Sequence, residues 1–293
     1  MIYSIENEHL KISVNTKGGE LYSVFSKKTN VEYLWQGDPK YWSGRAYNLF
    51  PFIGTMYENI FNHGEKTYPS RPHGLARYFE FVNEECSQNR IVMLLTENEE
   101  TLKEYPFRFE YRVFFTLNGN VLTVRQEVKN IDDKTLYCAF GGHPGINIPF
   151  DGGKFEDYYL EFSEKTDVRR QLLSESDTFM ADKAIPYPLV DGVKLPLQHN
   201  LFDHDAIILE NTSGYVAFKS KVTNRSVGMH YEDFPFIGFW HTERADAPFV
   251  CLEPWGALPA IDGKVVDLET KPHMTKVLVG EKAEATFTLE INE

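Results

Sequence analysis

The sequence predicts an all-β fold, a large antiparallel β-sandwich, and three observations carry that expectation. Polar and apolar residues alternate through most of the chain, glycine and asparagine turn signals separate the alternating runs, and convincing amphipathic helices are scarce. The chain has 293 residues, 42% of them hydrophobic and 14% aromatic, which is ample for one large core. Fifteen prolines and twenty glycines are spread along it rather than gathered in a linker, and no repeat or composition break divides it. Residues 1–293 therefore read as a single domain.

The first signal is "HLKISVNTKGGELYSVFSK", a strand, a Gly18–Gly19 turn and a second strand. Further on, "RFEYRVFFTLNGNVLTVRQEVKN" reads as two long strands joined at Asn118–Gly119. "NRIVMLLTEN", "GYVAFKSK", "SVGMHYE" and "FIGFWHTE" continue the alternation, and "KVLVGEKAEATFTLEIN" closes the chain. "ENEETLKEYP" has room for one short helical turn, ended by Pro106. The least regular stretch is 36–76, too long and varied for a plain connection, and long ordered loops on β scaffolds often carry sites.

Charge and cysteine content exclude several classes. A net charge of −13 argues against nucleic acid and against anionic membrane surfaces, both of which attract basic patches. No 18-residue apolar run predicts a transmembrane helix, and the start lacks the basic-then-apolar plan of a signal peptide. Cys86, Cys138 and Cys251 are odd in number and widely spaced, so they read as buried thiols in a reducing cytoplasm.

A few polar residues stand out against the apolar runs. His143 lies in "AFGGHPGINIPF", framed by Gly141, Gly142, Pro144 and Gly145, which permit close approach of backbone to a ligand; its other use is to satisfy a strand end. Glu253 lies in "VCLEPWGALP", within a run that reads as a buried strand. If it faces the interior, burial raises its pKa and suits it to general-base work; if not, it meets solvent at a strand end. His73 and Arg77 share "RPHGLAR". Arg45 enters an apolar run, as a carboxylate partner, as a donor to a polar ligand, or as a surface arginine lying over aromatics. Asp203, His204 and Asp205 resemble metal ligands only superficially, because neighbours on a strand point to opposite faces. Trp35, Trp42, Trp240 and Trp255 fall near these segments, as a sugar platform or as core.

Taken together, "GR" followed by "LFPFIG", then "HGLAR", "GGHPGIN", "DAIIL" and "LEPW", resemble the aldose 1-epimerase (galactose mutarotase) family and its LacX-like bacterial branch over nearly the whole chain. The resemblance implies a galactose mutarotase-like supersandwich and an isomerase that exchanges the α and β anomers of a free aldohexose such as galactose or glucose. It implies Glu253 as the base at the C1 hydroxyl and His143 as the acid at the ring oxygen, with His143 starting protonated. His73, Arg45 and Asp205 would bind the sugar, with Asp203 the other choice if the "DH" pair sets the register. No metal or nucleotide cofactor is implied. The "R-x-x-N-R" pattern of the better-known galactose mutarotases is missing here, where the chain reads "GRAYNLFPF". "HGLAR" is also similar to hexose-6-phosphate mutarotases, in which case Arg71 and Arg77 would face phosphate. A carbohydrate-binding or sensory protein with the same cleft is the reading from another class. A glycoside hydrolase, which needs two well-framed carboxylates, ranks last.

Overall fold

The computed structural model describes residues 1–176 and 178–293, and it is a β-sandwich built from antiparallel sheets. One large sheet has nine strands, in the order Lys194–Pro196, Tyr158–Phe162, Tyr215–Ser220, Ser226–His230, Lys282–Asn292, Val121–Asn130, Phe109–Asn118, Arg90–Thr96 and Val82–Cys86. The other has seven: Met180–Pro186, Arg169–Leu173, Ile207–Glu210, Phe236–Trp240, Phe249–Trp255, Gly141–Asn147 and Ala46–Leu49. A four-stranded sheet of residues 2–32 leads into them.

Side-chain alternation explains the layering. In Phe109–Asn118 the residues Phe109, Tyr111, Val113, Phe115 and Leu117 are buried and the residues between them are not, so one face meets the core and the other meets solvent. Phe249–Trp255 is buried at every position. Its Val250 and Leu252 join the main core, whereas Phe249 and Cys251 pack with Trp35 in a separate cluster on the opposite face. The seven-stranded sheet thus has two covered faces, and the second one floors a cleft. The two large sheets meet closely: a Cβ on Gly142 would lie 2.7 Å from the Phe287 ring of the nine-stranded sheet.

The predicted short helix is Thr101–Glu104. The Asn118–Gly119 turn is displaced by one residue. Asn118 still pairs with Val121, so the two-residue loop is Gly119–Asn120, with Gly119 at φ 56° in the first loop position, where a II′ turn demands glycine. The cysteines also divide: Cys138 and Cys251 are buried, but Cys86 is exposed at the end of an edge strand, its thiol 3.9 Å from the Ser4 carbonyl. No helix among the described residues is long and apolar enough to cross a membrane.

Candidate active site

His143 and Glu253 are cross-strand neighbours. Ladder pairs Gly141/Trp255 and Gly145/Cys251 flank them, and the same register sets His143 opposite Glu253. Their Nε2 and Oε2 atoms are 3.1 Å apart. Both side chains point to the cleft side of the sheet, the face of Cys251 and Trp255, because side chains on a strand alternate. His143 is 7% exposed and Glu253 1%. The Trp255 indole N–H donates to the same Glu253 Oε2 at 3.2 Å. Trp42 lies against the His143 ring with centroids 4.9 Å apart, and Trp240 meets it edge-on at 5.7 Å.

Room for this arrangement comes from missing side chains. A Cβ on Gly145 would lie 3.2 Å from the Trp42 ring, and one on Gly238 would lie 3.3 Å from the Glu253 Cβ.

The 36–76 region supplies one wall. His73 adopts φ 62° and Gly74 φ 76°, and this left-handed pair turns the chain back toward Gly54. A Cβ on Gly74 would strike the Phe50 carbonyl at 2.3 Å, so only glycine fits there. The His73 amide donates to the Gly54 carbonyl at 2.8 Å, and the Gly54 amide donates to His73 Nδ1 at 3.2 Å. Because Nδ1 accepts, the ring proton sits on Nε2. Burial first, and then the Arg77 charge, lower the His73 pKa to about 3, so the ring remains neutral with Nε2–H as a fixed donor.

Electrostatics at the floor follow from desolvation. Burial, then the nearby Asp205 charge, push the Glu253 carboxyl well above its ordinary range, while the Trp255 N–H opposes them. Burial, with His73 and Arg77 adding to it, holds His143 well below its ordinary value. Each charge is disfavoured, and the 3.1 Å contact holds one proton between the two groups. A starting imidazolium at His143, as the resemblance implied, therefore requires Glu253 ionised opposite it.

The cleft above this pair encloses about 350 Å³, within the range of about 300–1,000 Å³ usual for small-ligand sites. His143, Glu253, His73 and Asp205 all line it, so the structure brings these four together. Asp203 is not among the lining residues, and Asp205 itself stands at φ 60° at the rim.

Arg45 departs from its expected place. Its guanidinium lies over the Tyr22 ring at 3.6 Å and donates to the Tyr22 carbonyl and Gln36 Oε1, and it does not line the cleft. Arg45 lies in the bend before the strand Ala46–Leu49, so the alternation that sends Tyr47 into the cleft does not extend to it, and its side chain lies over an aromatic instead. Arg77 does line the cleft, stacked on Tyr47 at 3.7 Å, whereas Arg71 pairs with Glu104. Glu243 is a further lining carboxylate that sequence reading missed. Its signal was available, since it lies three residues beyond Trp240 in a loop leaving a floor strand. Among the described residues, the one group of three such donors that converges is His143, Cys251 and Glu253, and it includes none of Asp203–Asp205.

Comparison with known proteins agrees with this architecture. The family model described as aldose 1-epimerase matches residues 1–255. The plasmid and chromosomal LacX proteins of Lactococcus lactis subsp. lactis are each 35% identical to this chain over 302 aligned positions, covering 99% of both partners. A galactose mutarotase related enzyme from Lactobacillus acidophilus has a similar structure, with TM-score 0.94, 33% identity and coverage of 100% of this chain and 98% of that one. A galactose mutarotase-like protein from Lactobacillus casei ATCC 334 gives TM-score 0.94 at 31% identity, with 100% of both chains covered.

Proposed function

We propose, since this chain belongs to the aldose 1-epimerase family, that it is an isomerase exchanging the α and β anomers of a free, neutral aldohexose such as galactose or glucose. The observation that carries the reading is the buried His143–Glu253 pair at 3.1 Å on the cleft floor. Anomer exchange needs one group to take the C1 hydroxyl proton and another to protonate the ring oxygen. The open aldehyde then rotates about C1–C2 and closes from its other face with both transfers reversed. A pair that shares one proton supplies one donor and one acceptor at each stage.

In this reading the sugar inserts its O1 and O5 between the two groups. Glu253 takes the O1 proton and His143 gives its proton to O5. The transfer carries the pair from carboxylate and imidazolium to carboxylic acid and imidazole. Burial disfavours both starting charges, so the ion pair is the minor form of the free pair and the step returns the two groups to their neutral form. The Trp255 N–H on Oε2 keeps the carboxylate reachable before the step. His73 Nε2–H would donate to the sugar near C1, Asp205 would accept from a hydroxyl, and Trp42 and Trp240 would meet the apolar ring face. Arg45 has no part in this scheme.

A neutral sugar suits the lining. Asp205, Glu243 and Glu253 outnumber Arg77, which is stacked on Tyr47, and Arg71 is committed to Glu104. The same proposal includes a reducing cytoplasm, which the buried free thiols Cys138 and Cys251 support, and a role in hexose metabolism, which the family supports. The test is exchange between anomers followed by NMR on equilibrated galactose, glucose and glucose 6-phosphate, with and without protein. Acceleration of a neutral hexose is the expected result. Acceleration of the phosphate alone would transfer the reading to the phosphorylated sugar, and binding without acceleration of any of the three would make the protein a sugar-binding one.

A further inference from the structure

We infer that a second cavity, beside the cleft and built around Lys271, is a binding site for a small oxyanion, a phosphate or carboxylate group. The cavity encloses about 240 Å³, which is below the range of about 300–1,000 Å³ usual for small-ligand sites and ample for a small ion with its water. It adjoins the cleft. Pro259 lines both spaces, and on the strand Arg169–Leu173 the residue Leu173 lines the cleft while Gln171 lines the second cavity.

Lys271 is the buried charge of this second space. It is 8% exposed, and lysine is almost never buried to that degree without a partner of opposite charge. Its Nζ donates to the Leu258 carbonyl at 2.6 Å, the single hydrogen bond of this ammonium among the described residues. An ammonium carries three N–H groups, so two of them have no acceptor there. Asp182 is a carboxylate in the lining, but it is exposed and paired with Lys264 at 3.6 Å. Burial alone lowers the Lys271 pKa, from 10.5 to about 8, so no neighbouring charge offsets the desolvation and the group remains a cation at neutral pH.

A buried cation held only by one neutral carbonyl is incompletely compensated. An oxyanion supplies what is missing, since it brings negative charge and several acceptors in one compact group. His273 also lines the cavity, edge-on to Phe236 at 5.0 Å, and adds a ring N–H to the donors available. A metal cation would be repelled by the ammonium, and a neutral ligand would leave the charge unmatched. The site stands apart from the proton chemistry of His143 and Glu253, neither of which lines it.

Methionine methyl NMR on the full-length protein tests this, with sodium phosphate and sodium acetate as probes and sodium chloride at equal ionic strength as the control. Met180 lines the cavity, whereas Met56, Met93 and Met229 lie in the main core. Phosphate or acetate is expected to shift the Met180 signal saturably, with the three core signals unmoved and chloride without effect. Lys271→Leu removes the ammonium and should weaken binding at least about tenfold. An unmoved Met180 signal in wild type, an equal shift with chloride, or an unchanged affinity in Lys271→Leu would each overturn the proposal. If circular dichroism shows that Lys271→Leu has not folded, the wild-type pattern decides, and a shift shared by the core methionines sinks the idea. Glucose 6-phosphate held no more tightly than phosphate identifies a free-standing anion. A tighter hold, with a change in tryptophan fluorescence, identifies the substituent of a sugar seated in the adjoining cleft. The readout needs no turnover, so a failure to accelerate anomer exchange leaves this test intact.

Discussion

Gly238 and Glu253 are paired across adjacent strands, and the missing side chain at Gly238 is what gives the Glu253 carboxylate its position. A Cβ placed on Gly238 would stand 3.3 Å from the Glu253 Cβ, close enough to press it aside by a few tenths of an ångström. Small misplacements of a catalytic group cost large factors in rate. Gly238→Ala should therefore fold, bind sugar and lose about tenfold in kcat with KM little changed. A normal kcat in that variant would show that the position of Glu253 tolerates the shift.

Removing either proton carrier should be more severe. Glu253→Gln keeps the size of the group and His143→Asn leaves a smaller polar amide, and each removes a proton transfer worth about 10²–10⁴ in rate for positioned acids and bases. Sugar binding measured by tryptophan fluorescence should persist, with Trp42, Trp240 and Trp255 in the cleft as reporters. Anomer exchange close to wild type in Glu253→Gln would remove Glu253 as the base.

His73 should behave as a binding residue. His73→Asn preserves an acceptor for the Gly54 amide and tolerates the left-handed backbone, but it displaces the Nε2–H donor. The expected loss is about tenfold in kcat/KM, the scale of one hydrogen bond to a polar ligand, and most of it should appear in KM. A drop confined to kcat would instead place His73 among the proton carriers.

Acid should weaken the fold through two histidines. His241, fully buried, donates through Nδ1 to the Thr242 carbonyl at 2.7 Å and faces His199 Nδ1 through Nε2 at 3.1 Å. Burial lowers its pKa to about 4 from an ordinary value of 6.5, and His73 is held at about 3. Both folded-state values lie below the unfolded ones, so in the window from about 6.5 down to 4 the unfolded chain binds protons that the folded chain does not. The stability from these residues is complete above pH 6.5 and is lost as pH falls toward 4. Urea midpoints measured at intervals from pH 7.5 to 4 should decline through that window, with a smaller decline in His241→Gln. A flat profile would mean that neither ring is held neutral.

Much of this was legible in the sequence for identifiable reasons. Strand alternation is a local property, so Phe109–Asn118 could be read directly, and the continuous apolar run of Phe249–Trp255 marked a buried strand, while the direction of Glu253 stayed open between interior and solvent. The left-handed pair at His73–Gly74 could be suspected from histidine followed by glycine in an irregular stretch. Of the readings open for Arg45, the one lying over an aromatic is the one found, and the sequence could not choose it because Arg45 sits in a bend just before the strand, where no alternation sets its direction. Asp203 and Asp205 could not be separated because both precede the strand Ile207–Glu210, in a turn where no periodicity sets the direction of a side chain. The approach of Cys251 to His143 was hidden because it depends on which strands become neighbours, and pairing between residues more than a hundred positions apart leaves no local trace.

The division of labour in the cleft has a consequence for how such a protein diversifies. His143 and Glu253 are fixed to a hydrogen-bonded ladder, whereas His73, Asp205 and Glu243 reach the same space from separate connections between strands. Under the proposed function, recognition can therefore be rewritten one loop at a time while the His143–Glu253 pair stays untouched. Inheritance of the chemistry and inheritance of the substrate are separable in this architecture, and a descendant can change its sugar without passing through an inactive ancestor.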